Sequence, residues 1–251
     1  MVSMNIDEKK TYYLGKFDTG EIYTEFLDEI AIRQINVING KYFLSSSLED
    51  WNEEFGYLLY DGKKSDLDLS ESVSINEENF EKIWFKHISN ADVESFIKYE
   101  IGDASAPKHS SSLIIHIVNN RGKWGKGFVL ALSGKFPDVK TQYLKWSSQK
   151  DFNLGEVQFI NADKNNGIYV ANMLAQDGIR KDYNDKTIYV SYEKLDECLI
   201  KVADFALKNR LTIQMPKIGQ GLGGGDWSVI LQIIKKRLAY KRIHCKIFTI
   251  N

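Results

Sequence analysis

Two glycine-rich segments are the positions in this chain where bare backbone could do chemistry. The first glycine loop reads RGKWGKG (121–127), and the second glycine loop reads PKIGQGLGGGDW (216–227). Each follows a short apolar run and precedes a helical pattern. The first amides of a helix have no partner inside the helix, and the helix dipole favours negative charge at that end. Both junctions therefore predict anion-binding loops, with phosphate as the expected anion.

Other interpretations of the glycines are weaker. The letters from Gly219 to Gly224 fit the GxGxxG pattern of dinucleotide-binding folds, which also needs an acidic residue about 20 positions later. No Asp or Glu follows Asp226, so we reject that interpretation. The first glycine loop lacks the GK[ST] of a P-loop, which disfavours nucleoside triphosphate hydrolysis. Regular patterns on both flanks disfavour a flexible linker, whereas a structural hairpin remains an alternative for the second glycine loop.

Alternating strand and helix patterns surround the two loops. SFIKYEIGD and SLIIHIVNN indicate strands, FVLALSGKF a helix, and GEVQFIN and GIYVANML two further strands. A long amphipathic helix over 192–209 precedes the strand LTIQM, and a helix capped by Asp226 precedes the strand CKIFTIN. This order predicts an α/β domain, with a mixed central sheet flanked by helices, over residues 92–251.

The first 91 residues have a different pattern. Short strands flank the turn Asn39-Gly40, a strong hairpin signal, and a helix with Asn76 as its N-cap follows. We expect a small acidic α+β domain over 1–91, of unknown role. It holds nine Lys/Arg and 18 Asp/Glu, whereas 92–251 holds 24 and 16. The basic part suits an anionic ligand, although the two parts could also neutralise each other across an interface.

Composition excludes several classes of protein. No apolar run approaches the length of a membrane span, and the first residues lack the apolar core of a secretory leader. We therefore expect a cytoplasmic protein with no membrane partner, and the acidic part argues against binding nucleic acid. Cys198 and Cys245 lack CxxC spacing and are expected to be reduced core residues. Neither a metal nor a cofactor is predicted.

Residues 95–251 resemble the macro domain family of ADP-ribose-binding modules, in particular the bacterial stand-alone macro domains and the ADP-ribose 1″-phosphate phosphatase branch. Several linked motifs carry this resemblance in the family's order. They are IGDAS (101–105), IIHIVNNRGKWGKGFVLALSGKFP (114–137), LGEVQF (154–159), IYVANMLAQDGI (168–179) and MPKIGQGLGGGDW (215–227).

The resemblance implies a role for each matching residue. Asp103 matches the aspartate that accepts from the adenine amino group, and Asn119 the position beside the distal ribose. Two sets match the phosphate loops: Gly125, Lys126 and Gly127, and then Ile218, Gly219, Gln220, Gly221, Leu222 and Gly223. We accordingly expect a large side chain at Gly221 or Gly223 to abolish binding without unfolding the protein.

The resemblance implies an enzyme that hydrolyses a substituent on the distal ribose of ADP-ribose, as a phosphatase or an ADP-ribosyl hydrolase. His116 matches the histidine of the phosphatase branch and would be the general acid or base, with a pH–rate limb in the ordinary histidine range. A satisfied core histidine is the alternative. Gly223 stands where lysine-dependent relatives have an aspartate, which puts that mechanism in doubt. The alternative function is a non-catalytic reader of free or protein-linked ADP-ribose.

Overall fold

The computed structural model describes residues 9–182 and 184–250. Its first part is built on an antiparallel sheet with the strand order β4-β3-β2-β1-β7. A two-residue turn at Asn39-Gly40 joins β3 to β4, as predicted. The strands of this part are β1 (Lys10–Phe17), β2 (Gly20–Leu27), β3 (Ile30–Ile38), β4 (Lys41–Ser45), the short pair β5 (Trp51–Asn52) and β6 (Gly56–Tyr57), and β7 (Val73–Ile75).

Two helices connect the first sheet to the second. Helix α1 (Glu77–His87) begins where the side chain of Asn76 accepts the Asn79 amide at 2.8 Å, which confirms the predicted N-cap. Helix α2 (Asn90–Ser95) follows at once and was not predicted. Its capping box joins Ser89 and Asp92, a local device that stabilises a helix of only six residues.

The second sheet is mixed, as predicted. Its order is β10-β11-β9-β12-β13-β8; β10 is antiparallel to β11, and every other pairing is parallel. The parallel strands therefore end at one common edge. The elements are β8 (Ile97–Ile101), β9 (Ser112–Asn119), α3 (Phe128–Lys135), α4 (Pro137–Trp146), β10 (Val157–Asp163), β11 (Ile168–Gln176), α5 (Tyr192–Lys208), β12 (Thr212–Pro216), α6 (Trp227–Arg237) and β13 (Cys245–Thr249).

Helices cover both faces of this sheet. On β9, Ile114 and Val118 pack with α3 and α4, whereas Leu113 and Ile115 pack with α5 and α6. This alternation follows from the two-residue period of a strand. Cys198 and Cys245 are free and buried, as expected. Within the described ranges, no helix is both long and apolar enough to cross a membrane.

The two sheets share their cores. Leu27 and Ile32 of the first sheet belong to the apolar cluster of α5 and α6, and the Trp84 indole donates to the Tyr240 carbonyl at 2.6 Å. Residues 1–91 and 92–251 both contribute side chains to a common interior. Their division into two separate domains therefore stays a prediction.

A buried cluster of charged side chains crosses this contact, which we call the buried ion cluster. Arg33 is fully buried and binds Glu25 at 2.5 Å, while Lys10 binds Asp204 of α5 at 2.7 Å. Surrounding cations lower the pKa of Glu25 to about 2, outweighing the effect of its burial. The members of the cluster are Lys10, Glu25, Arg33, Glu81, Asp204 and Lys241.

Candidate functional site

A cavity of about 540 Å³ opens at the edge where the parallel strands end. The carboxyl ends of β9, β11 and β12 and both glycine loops line it, as is usual for ligand sites in α/β sheets. The lining residues are His116, Ile117, Val118, Asn119, Lys123, Trp124, Gly125, Lys126, Gly127, Phe128, Val129, Gln176, Ile179, Arg180, Pro216, Lys217, Ile218, Gly219, Gly221, Leu222 and Gly223.

The charge of the lining has one sign. Four cations contribute to it, namely Lys123, Lys126, Arg180 and Lys217, and no Asp or Glu among the described residues does so. Helix α3 adds to this polarity, since it begins beside the cavity at Gly127 with no described side chain capping its amides. The cavity therefore favours an anionic ligand.

Asn119 shapes the first glycine loop. Its side-chain oxygen accepts the amides of Arg121 at 3.0 Å and Lys123 at 3.1 Å, and its side-chain nitrogen donates to the Lys123 carbonyl at 2.7 Å. The Tyr143 hydroxyl donates to the backbone carbonyl of Asn119 at 2.7 Å. Asn119 thus lines the cavity, while its side-chain amide organises the loop that follows, and its place beside a distal ribose stays a prediction.

The glycines of the second glycine loop differ in the space that a side chain would have. A Cβ on Gly221 would meet no described atom within 4 Å, whereas a Cβ on Gly223 would lie 2.8 Å from the Gly219 carbonyl oxygen. The Gly223 carbonyl also accepts the amides of Tyr189 and Val190. The expectation that a large side chain at Gly223 leaves the fold intact is therefore wrong, because backbone contacts require glycine there. For Gly221, the expectation that a large side chain leaves the fold intact stays a prediction.

His116 is buried under two aromatic rings. Its ring lies 5.5 Å from that of Trp124 and 5.7 Å from that of Phe128, and its Nε2 lies 2.6 Å from the Asn172 side-chain oxygen. Burial lowers the pKa of His116 to about 4. His116 is therefore neutral at pH 7, and any pH–rate limb due to it moves below the ordinary histidine range. That corrects the expected position of the limb.

Two predicted residues do not line the cavity. Asp103 follows β8 at the same edge of the sheet, where its carboxylate accepts from Ser105 and binds Lys135 of α3 at 3.0 Å. Its pKa is lowered because the hydrogen bonds from Ser105 and Lys135 outweigh partial desolvation. Gln220 lies in the second glycine loop without facing the cavity.

The sequence did not reveal several lining residues. Gln176 is the last residue of β11, Arg180 follows that strand, and Phe128 begins α3. Their shared signal is position, because each lies at or just beyond the end of a parallel strand, or at a helix start that faces the same edge. They were not predicted, because the glycine-rich loops were the main signal used to place the site.

Solved structures share this fold. A protein from Bacteroides thetaiotaomicron is 44% identical to this chain, with a TM-score of 0.56, over 61% of this chain and 96% of that one. The macrodomain protein from Streptomyces coelicolor is 35% identical, with a TM-score of 0.53, over 61% of this chain and 98% of that one. No family model matches the chain. The extent of these two similarities shows that the chain belongs to the macrodomain family.

Curated relatives differ in length. An ADP-ribose 1″-phosphate phosphatase from Meyerozyma guilliermondii is 27% identical over 164 residues, which cover 57% of this chain and 94% of that protein. Chromodomain-helicase-DNA-binding protein 1-like from Danio rerio is 28% identical over 173 residues, 64% of this chain. This chain spans 17% of that protein's length, and 22% of its Mus musculus counterpart.

Proposed function

We propose that this macrodomain binds ADP-ribose and hydrolyses a substituent on its distal ribose, as an ADP-ribose 1″-phosphate phosphatase or an ADP-ribosyl hydrolase. The observation that carries the proposal is the cavity itself, where two glycine loops and four cations meet without a described carboxylate. Exposed amides and cations at a helix start stabilise a diphosphate. The relative from Meyerozyma guilliermondii, named for phosphatase activity, supports the same ligand class.

In this proposal the two loops enclose the diphosphate. Gly125, Lys126 and Gly127 lie on one side and residues 218–223 on the other, while Asn119 lies beside the distal ribose. The loops approach each other over the cavity, since a Cβ on Gly127 would lie 3.8 Å from Leu222.

Asp103 would accept a hydrogen bond from the adenine amino group. A carboxylate offers about four acceptor positions, so the contacts to Ser105 and Lys135 leave it capacity for the base. Because Lys135 lies on α3, which begins at the first glycine loop, the same ion pair ties the adenine end of the proposed site to its diphosphate end.

Hydrolysis would use His116 as a general base toward water. Its neutral form persists down to about pH 4, so its lone pair is available across the physiological range. We propose a cytoplasmic location for this activity, in keeping with the reduced cysteines.

Calorimetry with ADP-ribose tests the binding, and phosphate release from ADP-ribose 1″-phosphate tests the reaction. We expect a low-micromolar Kd, about −8 kcal/mol, and a much weaker response to the inosine counterpart, which lacks the amino group. Absence of binding heat would remove the proposal. Binding without any turnover would remove the enzyme and leave the binding module.

A non-catalytic reader of free or protein-linked ADP-ribose is the second candidate. The observation that favours it is the lining, because among its described residues His116 alone offers a neutral side chain that could act as a base, and His116 lies beneath Trp124 and Phe128. In that case the natural partner would be an ADP-ribosylated protein.

A further inference from the structure

Three buried polar side chains lie side by side across three neighbouring strands. His116 of β9 pairs in register with Asn172 of β11, and Asn172 pairs with Gln158 of β10. Side chains directly opposite each other on neighbouring strands point to the same face. The register alone therefore brings an imidazole and two amides into one line, which we call the amide relay.

Hydrogen bonds join the amide relay from end to end. His116 Nε2 lies 2.6 Å from Asn172 Oδ1, Asn172 Nδ2 donates to Gln158 Oε1 at 2.9 Å, and Gln158 Nε2 donates to the Gln142 carbonyl at 3.1 Å. All three side chains are at most 4% exposed, so water does not compete for these bonds. Helix α4 supplies the last acceptor.

The last acceptor fixes the direction of the whole relay. A backbone carbonyl can only accept, so Gln158 must present its amino group to Gln142 and its oxygen to Asn172. Asn172 must then donate to Gln158 and turn its own oxygen toward His116. Reversing both amides would place the Gln158 oxygen against the Gln142 carbonyl, two acceptors facing each other. His116 must therefore carry its proton on Nε2.

We propose that Asn172 and Gln158 are positioning residues that hold His116 in its Nε2–H tautomer, so that Nδ1 is the atom that accepts a proton from the reacting water. This inference rests on the proposed hydrolase function. Among the described residues, Nδ1 is buried and makes no hydrogen bond of normal geometry; burial lowers the pKa of the ring, and the backbone of Ile117 beside it offsets that lowering only in part. Leaving a buried acceptor without a partner is destabilising, and a binding role for the lone pair would explain why it is kept.

The proton transfer balances as follows for a phosphate substituent. The water oxygen bonds to phosphorus while Nδ1 takes one water proton, and the bond from phosphorus to the ribose oxygen breaks. The ribose oxygen leaves with a proton from solvent. His116 later releases to solvent the proton that Nδ1 took from the water and keeps the proton on Nε2. Asn172 and Gln158 touch neither the water nor the phosphate in this scheme, and they act only through the ring.

The tautomer can be read without any substrate. We expect ¹⁵N NMR of histidine-labelled wild-type protein at pH 7, with His116 assigned from His116→Gln, to show a protonated Nε2 and an unprotonated Nδ1. A proton on Nδ1 would overturn the inference, whatever the enzyme does. Failure of the proposed function would look different, as an absence of turnover in a protein with the expected tautomer.

Variants of the amide relay test positioning. We expect Asn172→Leu to lose the single tautomer and to lower kcat by about 10²–10⁴-fold with little change in KM. Asn172→Asp should restore the Nε2 proton and shift the His116 titration to higher pH, because a carboxylate stabilises the imidazolium. Gln158→Leu, which removes the acceptor that orients the Asn172 amide, is the second variant if Asn172→Leu does not fold, and it should also lose the single tautomer.

The matched control is Gln214→Leu. Gln214 is 4% exposed on the neighbouring strand β12 and donates to the Ala104 carbonyl at 2.6 Å, with no hydrogen bond to the amide relay among the described residues. It should lose stability but keep the wild-type tautomer and pH profile. Equal tautomer populations in wild type, Asn172→Leu and Gln214→Leu would overturn the positioning role.

Discussion

The carbonyl oxygen of Gly219 lies 2.8 Å from the point that a Cβ atom on Gly223 would occupy. The same carbonyl accepts the Gly225 amide at 2.9 Å, so the second glycine loop folds back on its own backbone. Several of its glycines are therefore required by the shape of the loop, and Gly221 is left as a cavity-lining position where a Cβ would meet open space.

Gly221→Glu should abolish ADP-ribose binding while the melting temperature of the ligand-free protein stays near the wild-type value. The new carboxylate would occupy the space of the diphosphate and repel it. Calorimetry and thermal melting measure the two effects. Gly134→Glu on the exposed side of α3, also with no described atom near its Cβ, is the control and should bind normally.

Gly223→Ala should lower the melting temperature by several degrees before any ligand is added, since its Cβ would press on the Gly219 carbonyl. A Gly223→Ala protein that melts like wild type would show that the loop adapts and that the glycine is kept for the ligand alone. Gly125→Ala, where the space is open, is the comparison.

Arg180→Ala should weaken ADP-ribose binding by about 10- to 100-fold, the scale of a lost hydrogen bond between charged groups. Arg180 Nε is buried without a described partner, and the residue lines the cavity. Affinity measured against salt should also become less salt-dependent. Lys140→Ala on the exposed face of α4 should change neither quantity, and equal affinities of all three proteins would exclude Arg180 from the site.

Acidification should destabilise the protein through His116. Its folded-state pKa of about 4 lies below the unfolded value near 6.5, so the unfolded chain takes up a proton first as the pH falls. The stability held above pH 6.5 is lost progressively between 6.5 and 4, by roughly 3 kcal/mol. Urea unfolding across this window should show a smaller loss in His116→Gln, and parallel curves would contradict the depressed pKa.

Arg33→Met should destabilise the protein by about 3–5 kcal/mol, because Glu25 would stay buried without its partner. Replacing both residues, as Glu25→Leu with Arg33→Met, should recover much of the loss. Lys16→Met removes an exposed pair with Glu21 at 3.8 Å and should change the free energy of unfolding by less than about 0.5 kcal/mol. Similar effects from Arg33→Met and Lys16→Met would contradict the proposed burial penalty.

Much of the fold could be predicted from short stretches of the sequence. The periodicity of β9 and the Asp226 cap of α6 can be read from a few neighbouring residues, and both were predicted. Helix α4 was missed, although Val139, Tyr143 and Trp146 recur at helical spacing, because it follows α3 with only Phe136 between the two helices. Less of the candidate site could be predicted from the sequence. Strand register sets the amide relay and loop contacts sort the glycines, and neither can be read from adjacent residues.

The buried ion cluster affects how the net charge is distributed over the molecule. Its four members from residues 1–91 cancel one another, as do Asp204 and Lys241 from the later part. Burying the cluster therefore removes no net charge from either half. The acidic excess before residue 92 and the basic excess after it must reside on other side chains, which gives the protein a permanent dipole despite its net charge of −1. Such a molecule should adhere to anion- and cation-exchange resins alike.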